Sequence, residues 1–201
     1  MKSRAAALTS ESNERIPPRA RLLAVAAELF YRHGIRAIGV EAIAEAAGTN
    51  KMTLYRHFAS KDELVAECLR QFAREGVQRW QRYEETHPGD PRAQIGAWLA
   101  DVANMLADKN HRGCALANAA IELADRTHPG RRVVEEFKLG RRNHLAQLCG
   151  SAGLKDPELL ADELYLLLEG ARVTAQSVGA EGLGARLMRV GEAMIAAHQA
   201  Q

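Results

Sequence analysis

The sequence is short of several things, and each shortage closes off a class of protein. Aromatic residues make up only 5% of the 201. Strand-forming alternation persists nowhere, so a β-rich core has little to be built from. No run of about 18 apolar residues occurs, which argues against a membrane span. The first fifteen residues scatter charges without an apolar centre, unlike a signal peptide, so a cytoplasmic location is expected. Cysteine is limited to Cys68, Cys114 and Cys149, odd in number and far apart, which suits free thiols in a reducing compartment rather than a disulfide framework. Net charge is only +2, so the whole chain is no polycation. Nucleophile-elbow, phosphate-loop, dinucleotide-glycine and zinc-protease patterns are all missing, so nothing points to catalysis or to a cofactor. His111 and Cys114 have a metal-like spacing but no further ligands, and no metal is expected.

What is present is helix. Ala and Leu dominate an apolar content of 47%, enough for a sizeable core. Residues 1–16 are polar and aperiodic and read as a disordered tail. Pro17 and Pro18 stand where a first helix begins, and Leu22, Val25, Ala26, Leu29 and Phe30 make one apolar stripe before Gly34. Val40, Ile43, Ala44 and Ala47 repeat the spacing over a shorter helix closed by Gly48. Asn50 suits the N-cap of a third helix, in which Leu54, Tyr55 and Phe58 can face inward. Ser60 and Glu63 have capping-box spacing and open a long fourth helix to about Glu85. Five more follow, with turn signals at 87–91, 128–130, 153–157 and 179–182: Pro91 to about Asp108, Cys114–Arg126, Arg131–Ala152, Pro157–Val178, and a last one to about His198. The expected fold is all-α with about nine helices. A helix-turn-helix domain over 17–64 precedes a larger helical ligand-binding and dimerisation domain over 65–201.

The second and third helices meet at Gly48-Thr49-Asn50, a three-residue turn of helix-turn-helix length. Residues 1–60 hold nine Lys/Arg against five Asp/Glu, whereas 61–201 hold eighteen against twenty, so the basic excess sits with this motif. The first turn of a recognition helix meets base edges, which singles out Asn50, Lys51, Met52 and Thr53. Lys51 can donate to guanine, and Thr53 can meet thymine or a polar edge. Tyr55, His57 and Lys61 can hold phosphates, which fixes register without reading sequence.

The segment from Arg21 to Leu69 closely resembles the DNA-binding domain of the tetracycline-repressor (TetR) family. The resemblance is carried by Ala26-Ala27-Glu28-Leu29-Phe30, His33-Gly34, Ile43 to Gly48, Thr53 to Phe58 and Lys61-Asp62-Glu63-Leu64. It implies base contacts at Lys51, Met52 and Thr53 and phosphate contacts at Tyr55, His57 and Lys61. Two positions depart from the family pattern. Gly39 lacks the hydroxyl usual at the second helix's cap, and Glu41 puts a carboxylate where DNA would repel it.

Over residues 70–201 the likeness is looser, with a family-like stretch at Arg112 to Leu123. It implies a ligand pocket in the middle helices and a homodimer through the last two. Pocket candidates are Trp98, Met105, Asn118, Ile121, Glu122, Phe137, Leu164, Leu168 and Gln176, a mostly apolar set with a few polar groups. On the eighth helix, Leu164, Leu167, Leu168, Ala171 and Ala175 form one stripe and Leu166, Gly170, Val173 and Ser177 another, while Leu183, Leu187, Val190, Met194 and Ile195 line the ninth. A helix apolar on two sides packs against two neighbours. The interface candidates are Leu166, Gly170, Val173, Leu187, Val190 and Met194. The expected function is a transcriptional regulator, a repressor released from a palindromic double-stranded operator by a small-molecule effector. An activator, a ligand-independent regulator, or a helical enzyme or carrier are the alternatives.

Overall fold

A computed structural model describes residues 16–108 and 110–199. Among them are helices α1 (Pro18–His33), α2 (Val40–Ala46), α3 (Lys51–His57), α4 (Lys61–Thr86), α5 (Pro91–Leu106), α6 (Ala115–Glu122), α7 (Pro129–Ser151), α8 (Pro157–Val178) and α9 (Leu183–Ala197), and no strand. The expected tail lies outside the described residues except for Ile16. Among those residues no helix is long and apolar enough to cross a membrane.

Helix ends follow local chemistry. Asn50 Oδ1 accepts from the Thr53 amide at 2.9 Å and caps α3. Ser60 Oγ accepts from the Glu63 amide at 3.1 Å and starts α4. Gly48, at φ +63°, closes α2: its amide donates to Glu45 O and the Thr49 amide donates to Ala44 O, the paired bonds of a Schellman end. α6 stops at Glu122, four residues before its expected end at Arg126. The Asp125 carboxylate accepts from the Thr127 amide and hydroxyl, both at 2.8 Å, and so bends the chain into a turn. Asp108 ends α5 early in the same manner through the Asn110 amide. Asp156 precedes Pro157 in a left-handed conformation, φ 46°, with no side-chain capping bond, so it turns the chain rather than capping α8.

The described residues divide into two compact units, one formed by those up to 73 with 115–135, the other by those from 74 to 114 with those from 136 onward. The first contains the helix-turn-helix, and also α6 and the start of α7. Leu22, Ala26, Ile43, Ala47, Leu54 and Leu64 are all fully buried there. Phe58 is buried with Leu54, but Tyr55 is 44% exposed and points outward, against its inward assignment. α3 has one buried side, and 55 falls off it.

In the second unit α9 packs closely on α5 and α8. Small residues permit this. A Cβ on Gly191 would lie 3.0 Å from Leu99 Cδ1, and one on Gly184 would lie 3.0 Å from Ala103 O. Trp80 centres an aromatic group with Tyr83 and Trp98, each ring centroid 5.4 Å away. All three cysteines are free. Burial pushes the Cys68 thiol up to about 12 and that of Cys149 up to about 11, so neither is reactive.

Candidate DNA-reading face

α3 is short, and its orientation comes from both ends: the Asn50 cap sets its start, and Leu54 with Phe58 anchors it in the first unit's core. The opposite side is left to solvent. It presents Lys51, Met52 at 84% exposure, Tyr55 and Arg56. A methionine that exposed on a seven-residue helix contributes nothing to the core. Asn50 and Thr53 flank this face, although the Asn50 oxygen is already used in capping.

Lys51 is not idle. Its Nζ donates to Glu41 Oε1 at 2.6 Å and lies 5.9 Å from the Tyr55 ring centroid. The hydrogen bond to Glu41 holds the lysine above its ordinary pKa and the glutamate below its own. Both groups are exposed, so solvent screens the pair and its contribution to stability is small. Its effect is positional. It sets the Lys51 ammonium against the Glu41 carboxylate, and the two charges offset each other. Gly39 caps α2 in an extended conformation without a side-chain bond.

The other phosphate candidates are placed differently. His57 Nε2 is buried with no hydrogen-bond partner among the described residues, so a phosphate would have to be met through Nδ1. Lys61 turns inward: Nζ donates to Ile35 O at 2.7 Å, close to the Phe30 ring. The same turn is gripped from the other side by Glu122. Its Oε2 accepts from the Ile35 amide at 2.6 Å and the Arg36 amide at 3.2 Å. Gly34, at φ +89°, leaves room for it, since a Cβ there would sit 3.0 Å from Glu122 Oε2. The turn between α1 and α2 therefore has its backbone donors and acceptor met by side chains from α4 and α6.

That clasp corrects the pocket assignment of Glu122, whose carboxylate is committed to backbone amides. Ile121, another pocket candidate, is 80% exposed. Asn118, Ile121 and Glu122 belong to the first unit and the remaining candidates to the second. There, Leu164 and Leu168 are fully buried core, Trp98 is buried, and Gln176 faces solvent. Met105 Sδ accepts from Arg79 Nη1 at 2.7 Å. Phe137 packs over Gly76, where a Cβ would come within 2.6 Å of the ring.

The α8 stripes separate as their spacing implies: Leu164, Leu168 and Ala171 are buried, whereas Leu166 is 73% and Val173 61% exposed. Gly170 is exposed with them. An open apolar groove runs between α8 and α9, lined by Leu166, Leu167, Val190, Ala193 and Met194 among others. Leu187 is the exception among the interface candidates. It is 2% exposed, because its side of α9 faces the unit's own core. No three His, Cys, Asp or Glu side chains among the described residues are grouped to hold a metal.

Comparison with known proteins agrees with this layout. The family model described as bacterial regulatory proteins, tetR family, matches residues 22–68. The HTH-type transcriptional repressor KstR2 of Mycobacterium tuberculosis is 50% identical over 54 residues, 27% of this chain and 27% of that protein. The HTH-type transcriptional activator FasR of Mycolicibacterium smegmatis is 45% identical over 51 residues, 25% of this chain and 23% of that one. These curated relatives are thus matched over about a quarter of their length. Solved structures extend the likeness. A TetR-family transcriptional regulator from Streptomyces coelicolor superposes with a TM-score of 0.86 at 27% identity, covering 91% of this chain and 96% of that one. A TetR-type regulator from Streptomyces avermitilis has a TM-score of 0.77 at 33% identity, covering 91% and 98%. With a helix-turn-helix that matches the family model and a likeness spanning nearly the whole chain, this protein belongs to the TetR family of bacterial transcriptional regulators.

Proposed function

We propose that this protein is a homodimeric repressor that holds a palindromic operator through α3 and leaves it when a small molecule binds the second unit. One observation carries the DNA reading: α3 exposes Lys51, Met52, Tyr55 and Arg56 while Leu54 and Phe58 hold it rigidly. In the major groove, Lys51, Met52 and Thr53 meet base edges, with Asn50 setting the start of the helix, and Tyr55 and His57 meet the backbone. Lys61 reaches a phosphate only by giving up Ile35 O, so its first role is to set the α1–α2 turn.

The exposed α8 face, with Leu166, Gly170 and Val173, and the adjoining Val190 and Met194 of α9 supply the dimer surface. Such apolar exposure on two adjoining helices is costly for a monomer, and a two-fold dimer presents two reading heads to the two halves of a palindrome. Repression rather than activation follows the named function of KstR2, while FasR, named an activator, supplies the opposite outcome for the test. Release requires that the small molecule bind more tightly to the conformation whose heads do not fit the operator. About 1.4 kcal/mol of differential affinity shifts that equilibrium tenfold.

The test is selection of bound sequences from a random DNA pool, followed by reporter expression with the gene deleted. Enrichment of a symmetric site and a rise in reporter output fit the proposal. A fall in output on deletion makes the protein an activator, and no enrichment at all removes the DNA reading.

A further inference from the structure

The second unit contains an arginine with one buried donor unmet. Arg141, on α7, turns inward, and its Nη1 is buried with no hydrogen-bond partner among the described residues. Its guanidinium carbon lies 5.8 Å from the ring centroids of both Trp80 and Phe137. The neighbouring Arg142 shows the ordinary alternative: it faces outward and is paired with Glu158 and Asp162. Glu84 acts on Arg141 only through space. Burial pulls the Arg141 pKa down, with Tyr165 and Glu84 offsetting this only through space. Buried donors are normally met by an acceptor, and an arginine fork is shaped for a carboxylate.

We propose that Arg141 is the anchor for the carboxylate of a small apolar acid, whose body lies along Trp80 and Phe137. This rests on the reading of the second unit as the effector-binding part and names the effector's chemical class. Two aromatic rings beside the guanidinium and an unmet donor suit a ligand with one charged end and an otherwise apolar body. They disfavour a neutral apolar effector, which would leave that donor unmet.

The probes are hexanoate, octanoate and decanoate, each against its matching alcohol, with binding read from tryptophan fluorescence of the full chain. Trp80 and Trp98 are its only tryptophans. At least one acid is expected to bind about 10- to 100-fold more tightly than its alcohol, the range of a charge-assisted hydrogen bond. Arg141→Met should remove that preference, and Arg141→Lys should keep part of it. The ligand-free methionine variant should be as stable as the native protein or more so. Equal binding of acid and alcohol, no binding by any acid, a preference that survives Arg141→Met, or a methionine variant that melts well below native would each overturn the assignment. Release of the selected DNA is measured in parallel. Acid-selective binding without release keeps the site and removes the effector reading. Release by an alcohol from both native and Arg141→Met protein keeps the effector reading and removes the site.

Discussion

Replacing Glu122 with alanine should loosen the reading head without touching any residue proposed to meet DNA. The native carboxylate takes two backbone amides, Ile35 at 2.6 Å and Arg36 at 3.2 Å. The first is short, part-buried and charge-assisted, while the second is long and exposed. Only the first should count fully, at about 1.5–3 kcal/mol, and the variant also leaves the Ile35 amide without an acceptor. A loss of about 2–3 kcal/mol is therefore expected for the α1–α2 turn, corresponding to roughly 30- to 150-fold faster hydrogen exchange at Ile35. Glu122→Gln retains an oxygen acceptor and loses only the charge, so it should fall about midway. The assay is native-state hydrogen exchange, with Leu145 and Leu160 of the second unit as internal references. If Ile35 exchanges as in the native protein while the fold is intact, the clasp is an incidental contact and the reasoning fails.

Four further outcomes follow from the same geometry. Lys51→Ala should weaken operator binding roughly tenfold or more and relax selectivity at one position per half-site; a gel-shift titration with unchanged affinity removes its base-reading role. Replacing Leu166 and Val173 with lysine should give monomers by light scattering, and an intact dimer would move the interface off α8. Gly76→Ala places a Cβ within 2.6 Å of Phe137, so the ring must move, at a cost of about 1–3 kcal/mol partly offset by alanine's helix preference; urea unfolding measures it. Burial raises the Glu169 carboxyl pKa, but Arg172 and Lys138 outweigh that and leave it below its ordinary value of 4.5. A depressed folded pKa contributes stability above 4.5 that is lost as pH falls through the lower folded value. Native protein should accordingly lose stability on acidification faster than Glu169→Gln, and parallel curves would show that the pair adds nothing.

Features encoded by neighbours along the chain are legible in the sequence. The Ser60–Glu63 cap, the Gly48 closure of α2 and the two stripes of α8 all depend on residues within a turn or two. Chemistry between distant residues is not. Glu122 answers to an amide 87 positions away, and nothing in its own surroundings distinguishes it from a pocket residue. Lys61 matches a phosphate-binding pattern, yet its ammonium bonds to a carbonyl 26 residues back. Leu187 belongs to a stripe wide enough to serve two neighbours, and only packing shows which side it takes. Arg141 sits beside Arg142 in the sequence, and only their contacts tell the cation set against Trp80 and Phe137 from the one paired with Asp162. α6 is shorter than its apolar pattern implies because the Asp125 side chain competes for the backbone that a helix would have used.

We propose that α3 reads DNA from a symmetric pair of heads. Its most direct test is selection from a random DNA pool by the native protein and by Lys51→Ala, side by side. The native protein should enrich a two-fold symmetric sequence with half-sites about one helical turn, or a multiple of it, apart. Lys51→Ala should enrich the same sequence with information lost at one symmetric pair of positions. An asymmetric sequence, no enrichment, or the same sequence preference from both proteins would contradict it.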